Sequence, residues 1–188
     1  MSKEIAFYSV RHGETEWNRE KRIQGYTDVP LSAQGLANVH LFGAELAERR
    51  EELGIEVIFS SDLMRASITA DTIAQYLQVP VIQDLRLRER NYGAFEGRTF
   101  EELEEEFGTD RIEAYHPEGG ESLGEFDMRI GSAVKDILRA RSGQGILFVS
   151  HGGVIRSKVR QFGEKSGLEG IGYDIKNLSI HRFVVPFL

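Results

Sequence analysis

Short apolar runs alternate along this chain with stretches whose apolar residues recur every three or four positions. Ile5–Val10, Ile55–Ser60, Val79–Gln83, Gly145–Ser150 and Ile180–Val185 have the length and composition of buried strands. Pro186 follows the last of them and assigns it to a sheet edge, because proline cannot donate to a ladder. Leu63, Ala66, Ala70, Ile73, Ala74 and Leu77 repeat at helical spacing, as do Leu123, Phe126, Ile130, Val134, Ile137 and Leu138. Ser122 with Glu125 and Thr99 with Glu102 read as capping boxes, and Ser32 and Asp62 as further N-caps. Strands separated by helices predict an α/β fold, a mostly parallel sheet with helices on both faces. No linker, repeat or low-complexity tract divides the chain, so residues 1–188 read as a single domain.

In such sheets ligands bind beyond the carboxyl ends of the strands. Four of the runs lead there into groups suited to phosphate chemistry. Ile5–Val10 enters Arg11-His12-Gly13-Glu14, Ile55–Ser60 precedes a helix offering Arg65, Val79–Gln83 leads to Glu89, and Gly145–Ser150 enters His151-Gly152-Gly153. Phosphoryl transfer is catalysed mainly by positioning and by stabilising charge on the phosphoryl oxygens. Arg11 and Arg65 suit that task, since a guanidinium grips two oxygens and stays charged. His12 is a competent phosphoryl acceptor, which splits one difficult hydrolysis into two transfers. Glu89 is the candidate to protonate the leaving group and then deprotonate water. His151 is a second imidazole at the phosphate and a hydrogen-bond donor to it. Asn18, Gln24, Gly25 and Gly152 could add further hydrogen bonds.

Charge and composition narrow the picture. The formal net charge of −7 weighs against general nucleic-acid binding. No apolar run reaches the roughly 20 residues that span a bilayer, and the opening MSKEIAFYSV is too short in apolar length for a secretory signal, so a cytoplasmic location is the default expectation. Cysteine is absent, which excludes disulfides and thiolate metal sites, and the five histidines show no paired metal-ligand spacing. A metal hydrolase is therefore not expected.

The block Arg11-His12-Gly13-Glu14-Thr15-Glu16-Trp17-Asn18 resembles the signature of the histidine phosphatase superfamily, the phosphoglycerate mutase-like proteins. Similar blocks follow: Arg22–Asp28 with Pro30-Leu31-Ser32 and Gly35, then Ser60–Ala66 with Thr69-Ala70, then Leu87–Gly93 with Glu96-Gly97. Gly119–Leu123 and Val149–Gly153 complete the set. The resemblance implies His12 as the phosphorylated nucleophile. It implies Arg11, Arg65 and His151 as the rest of the phosphate pocket and Glu89 as proton donor, with no metal and no organic cofactor. It implies a three-layer α/β/α sandwich on a mostly parallel six-stranded sheet with one antiparallel strand, which the run pattern alone does not predict.

Mutases and phosphatases share these blocks. The short stretch between Gly97 and Gly119, Arg98-Thr99-Phe100 where mutases carry a lysine, and Gly152-Gly153 after the second histidine favour a phosphatase. The pattern is most similar to α-ribazole phosphatases and broad-specificity bacterial phosphatases. Glu89–Gly93 is more mutase-like, so a phosphoglycerate mutase is one alternative. A non-catalytic phosphate-binding regulatory protein of the same fold is another.

Several conspicuous residues read otherwise. His40, His116 and His181 fall on a helix, a loop and an edge strand, outside the site. Glu101–Glu106 is a solvated helix face, Glu14 a partner for an arginine, Arg156 a salt-bridge residue, and Trp17 packing beneath the phosphate loop. Tyr92, Phe95, Phe100 and Phe107 read equally as pocket or core. Specificity is expected from Tyr92–Pro117 and Gln24–Val29, the partner is a small phosphorylated substrate, and the edge at Ile180–Val185 offers a surface for a homodimer.

Overall fold

The structure is a computed structural model that describes residues 4–108, 115–163, 166 and 175–186. In chain order its elements are β1 (Glu4–Arg11), α1 (Glu16–Arg19), α2 (Ala33–Glu48), α3 (Arg50–Leu53), β2 (Val57–Ser60), α4 (Met64–Leu77), β3 (Val81–Gln83), α5 (Phe100–Phe107), α6 (Leu123–Ala140), β4 (Ile146–Ser150), α7 (Gly152–Phe162) and β5 (Ile180–Pro186). Single 3₁₀ turns lie at Leu85–Leu87 and Gly93–Phe95.

The strands form one sheet in the order β3-β2-β4-β1-β5. β1, β4, β2 and β3 run parallel, and β5 pairs antiparallel with β1 from Glu4↔Pro186 to Val10↔Ile180. The sheet thus has five strands among the described residues, where the resemblance implies six and the apolar runs five. β5 is at an edge, as Pro186 predicts.

Alternate strand residues feed opposite cores. Phe7, Phe59, Phe148 and Phe183 pack with Phe126, Ile130 and Val134 of α6 and Val154 and Ile155 of α7. Val10, Ile58, Leu147 and Val149 pack with Val39 and Leu46 of α2 and Ala70, Ile73 and Leu77 of α4. A strand covered on both faces is apolar at nearly every position, which is why these segments stand out as runs.

Two strand starts differ from the pattern. β3 begins at Val81, because Pro80 has no N–H to give the ladder. β2 begins at Val57, where Gly145 O takes both Glu56 N and Val57 N, at 2.8 and 3.3 Å. Ser32, Thr99 and Ser122 cap as predicted, and Thr15 with Asn18 forms a further capping box on α1. Asp62 does not cap α4. Its carboxylate is held by Arg88, Nε to Oδ1 at 2.7 Å, and Asp28 Oδ1 accepts from Met64 N at 2.7 Å instead. A bidentate arginine outcompetes one backbone N–H. Among the described residues no helix is long and apolar enough to cross a membrane.

Candidate active site

β1 and β4 are hydrogen-bonded neighbours, and Arg11 pairs with Ser150 at their carboxyl ends. That register brings His12 and His151 together, with His12 N donating to Ser150 O at 2.9 Å. The two rings lie 5.2 Å apart, centroid to centroid. Both are buried, at 3% and 0% exposure.

His12 Nδ1 lies 2.7 Å from Gly13 O. A carbonyl can only accept, so Nδ1 carries the proton and Nε2 the lone pair. Burial, then Arg65 and Arg11, hold the His12 pKa well below its ordinary 6.5, so the ring is neutral. Burial, then Arg65, His12 and Arg11, depress His151 in the same way. Neither nitrogen of His151 has a hydrogen-bond partner among the described residues. Unsatisfied buried nitrogens are costly in a fold that never receives a ligand.

Arg65 is 1% exposed, in the first turn of α4. Its head donates to Gly25 O at 2.7 Å and Thr27 O at 3.0 Å. Burial lowers its pKa to about 10, against the raising effect of Glu89, Asp28 and Glu96, so it remains a cation at neutral pH. Gly25 has φ +53, and a Cβ there would meet Glu96 Oε1 at 2.1 Å. Only glycine permits both the left-handed backbone and that approach. Arg11 is anchored by NH1 donating to Ile175 O at 2.5 Å.

Glu89 sits against the start of α7. Gly153 N donates to its Oε2 at 3.0 Å and Arg90 N to its Oε1 at 2.9 Å. A Cβ on Gly153 would come within 2.1 Å of Oε1, so the second glycine after His151 makes room for this carboxylate. A carboxylate at a helix N-terminus also meets the positive end of the helix dipole.

These groups surround a cavity of about 200 Å³, with Arg11, His12, Asn18, Gln24, Gly25, Arg65, Glu89 and Gly152 among its walls. Every site residue predicted from the sequence is therefore at one place. His151 alone of them is not a wall of the cavity, although it stands against His12. Gln24 Oε1 has no partner among the described residues. Asn18 Oδ1 is already occupied by Thr15 N at 3.1 Å and Asn177 Nδ2 at 3.2 Å. Asn18 is thus a structural anchor as well as a wall.

Tyr92 and Phe100 line the cavity, whereas Phe95 and Phe107 pack with each other and Tyr115. Part of the Tyr92–Pro117 segment, 109–114, lies outside the described residues. Glu14 meets Arg19 Nε at 3.3 Å. Arg156, read from the sequence as a salt-bridge residue, also lines the cavity, because a side chain four residues into a helix leans back toward its N-terminus.

Three supports have no role assigned by the sequence. Glu96 Oε2 accepts from Thr27 N at 2.8 Å and Oε1 from Tyr26 N at 2.8 Å, which fixes the loop that holds Arg65. Arg129 donates to Glu89 O and Arg88 O, both at 3.1 Å, and pairs with Glu121 at 2.7 Å. Glu96 and Glu121 do lie in recognisable blocks. Arg129 has no signal, since on α6 it looks like any arginine of a polar helix face.

A family model described as the histidine phosphatase superfamily, branch 1, matches residues 7–185. The chain belongs to that superfamily. It is 42% identical over 155 residues to a probable phosphoglycerate mutase, GpmB, of Escherichia coli O1:K1, covering 79% of this chain and 70% of that protein. Among solved structures, a mycobacterial glucosyl-3-phosphoglycerate phosphatase matches with a TM-score of 0.80 at 25% identity, covering 94% of this chain and 90% of that one. A Bacillus stearothermophilus protein, YhfR, matches with a TM-score of 0.80 at 29% identity, over 94% and 89% of the two chains. Among the described residues, no three His, Cys, Asp or Glu side chains gather as metal ligands would.

Proposed function

We propose that this histidine phosphatase hydrolyses a small phosphomonoester through a phosphohistidine on His12. The observation that carries this reading is the neutral His12 ring, with its proton on Nδ1, set beside two anchored guanidinium groups and a carboxylate at one cavity. Nε2 attacks phosphorus, and the P–N bond forms as the bond to the leaving oxygen breaks. Arg11 and Arg65 take up the charge on the phosphoryl oxygens. Glu89 gives the leaving oxygen its proton, then takes one from the water that cleaves the P–N bond. A bound dianion acts against the burial and the guanidinium charges that hold His151 neutral, so His151 gains a proton and donates to the phosphate.

The test is a rapid quench with labelled p-nitrophenyl phosphate. An acid-labile, base-stable label is expected on wild type and none on His12→Ala, whose turnover falls by about 10³-fold or more. Full activity of His12→Ala would end the proposal.

A phosphoglycerate mutase is the second reading, and the name carried by the 42%-identical E. coli relative favours it. The half-exposed Phe100 at the rim leaves the cavity reachable by water, which favours hydrolysis. With 3-phosphoglycerate, phosphate release should outrun isomerisation. Dominant isomerisation would establish the mutase.

A further inference from the structure

The cavity at His12 is small beside the roughly 300–1,000 Å³ of pockets that enclose larger ligands. It shares Arg11, Asn18, Arg22 and Phe100 with an adjoining groove of about 340 Å³. Trp17, Lys21 and Lys176 complete the part of that groove that concerns a ligand.

The charge of the groove runs against that of the chain. With 30 acidic and 23 basic residues overall, an average face of this protein is acidic. The described lining of the groove holds four cations, Arg11, Lys21, Arg22 and Lys176, and no carboxylate. Two of these are committed to protein groups: Arg22 Nε meets Glu20 Oε2 at 2.6 Å and its NH1 meets Gly97 O at 2.8 Å, and Arg11 holds Ile175 O. Lys21 and Lys176 make no ion pair among the described residues.

Lys21 is also held at φ +56, a conformation rare outside glycine. Its carbonyl accepts from Phe100 N at 3.2 Å and its N–H donates to Asn18 O at 3.2 Å. Those bonds stand the lysine opposite the rim aromatic. Phe100 is 47% exposed, and Trp17 is partly buried against Gly97. The groove therefore offers two exposed ammonium groups beside two apolar faces, next to a phosphate site that has its own arginines.

We infer that the substrate carries a second anionic group, which Lys21 and Lys176 hold in this groove while the carbon body rests on Phe100 and Trp17. This rests on the phosphatase reading and names its substrate class. A substrate with an uncharged body would leave both lysines unused. The second anion is a carboxylate or another phosphate, and both present oxygens to an ammonium.

The experiment measures kcat/KM for matched pairs that differ only in the second anion. 3-Phosphoglycerate against glycerol 3-phosphate tests a carboxylate, and fructose 1,6-bisphosphate against fructose 6-phosphate tests a phosphate. In wild type at low salt, the bis-anionic member of at least one pair should be favoured by tenfold or more. That ratio should fall about five- to tenfold in Lys21→Met and again in Lys176→Met, through KM, and should shrink as salt rises. The member that lacks the second anion reports that each variant is folded. Equal rates within both pairs in wild type, or variants that slow both members of a pair alike, would overturn the inference while leaving the phosphatase reading intact. If His12 supports hydrolysis of none of these esters, the phosphatase reading itself has failed.

Discussion

Burial, reinforced by the guanidinium groups of Arg65 and Arg11, keeps the His12 imidazole neutral well below its ordinary 6.5, so the lone pair on Nε2 is present before substrate arrives. The sign for activity follows directly. Acid removes the nucleophile only when pH falls through the depressed value, so the acid limb of kcat/KM should have its midpoint below 6.5. An aryl phosphate, corrected for its own ionisation, measures this, and a midpoint at 6.5 or above would contradict the assignment. Stability has a related sign. The unfolded chain takes up protons on both histidines below 6.5 while the folded site resists them, so His12 and His151 make the fold weaker as pH drops from that value. His12 and His151 were each legible from a strand ending in His-Gly. Their neutrality was not, because it depends on how deeply the rings are buried and on Arg65 arriving from another element.

Four of the five catalytic candidates are delivered by an element end: β1 for Arg11 and His12, the first turn of α4 for Arg65, and the β4–α7 junction for His151, while Glu89 comes from the loop after Leu85–Leu87. Beside the apolar packing of Val154 and Ile155, one contact between α7 and β1 is unexpected. Lys158 of α7 is completely buried, its Nζ 3.1 Å from Ser9 Oγ of β1 and 4.0 Å from the centre of the Phe148 ring. Burial pushes its pKa well below the ordinary 10.5. The folded state thus sheds a proton that the unfolded state keeps, so stability should rise with pH up to about 10.5, with a slope of at most about 1.4 kcal/mol per pH unit from this group. Chemical denaturation at several pH values should find that rise in wild type and a smaller one in Lys158→Met. Parallel curves would show that Lys158 is charged in the fold. Sequence could not single it out, since Lys158 sits among Arg156 and Arg160 in what reads as a basic helix segment.

At the scale of the molecule, three layers bring groups from residues 11 to 153 to one end of the sheet, and the proposed mechanism draws on these groups, substrate and water alone. Dialysis against EDTA should therefore leave hydrolysis within about twofold of its starting rate, and restoration of a lost activity by a divalent cation would refute the proposed mechanism. The fold itself was readable because the buried strands are apolar on both faces, and only a sheet covered by helices on each side needs that. The antiparallel direction of β5 was not, since apolar content is the same whichever way a strand runs.

The sequence by itself determined which residues could do phosphoryl chemistry and roughly where each sits relative to a strand or helix, because apolar periodicity and turn residues are local properties of the chain. Only the tertiary structure decided that Asp62 serves Arg88 and leaves α4 to Asp28, that Arg156 reaches the cavity, and that Lys21 and Lys176 face one groove from opposite ends of the chain. Those outcomes are contacts between segments distant in sequence, and a charged side chain carries no local mark of the partner it will meet.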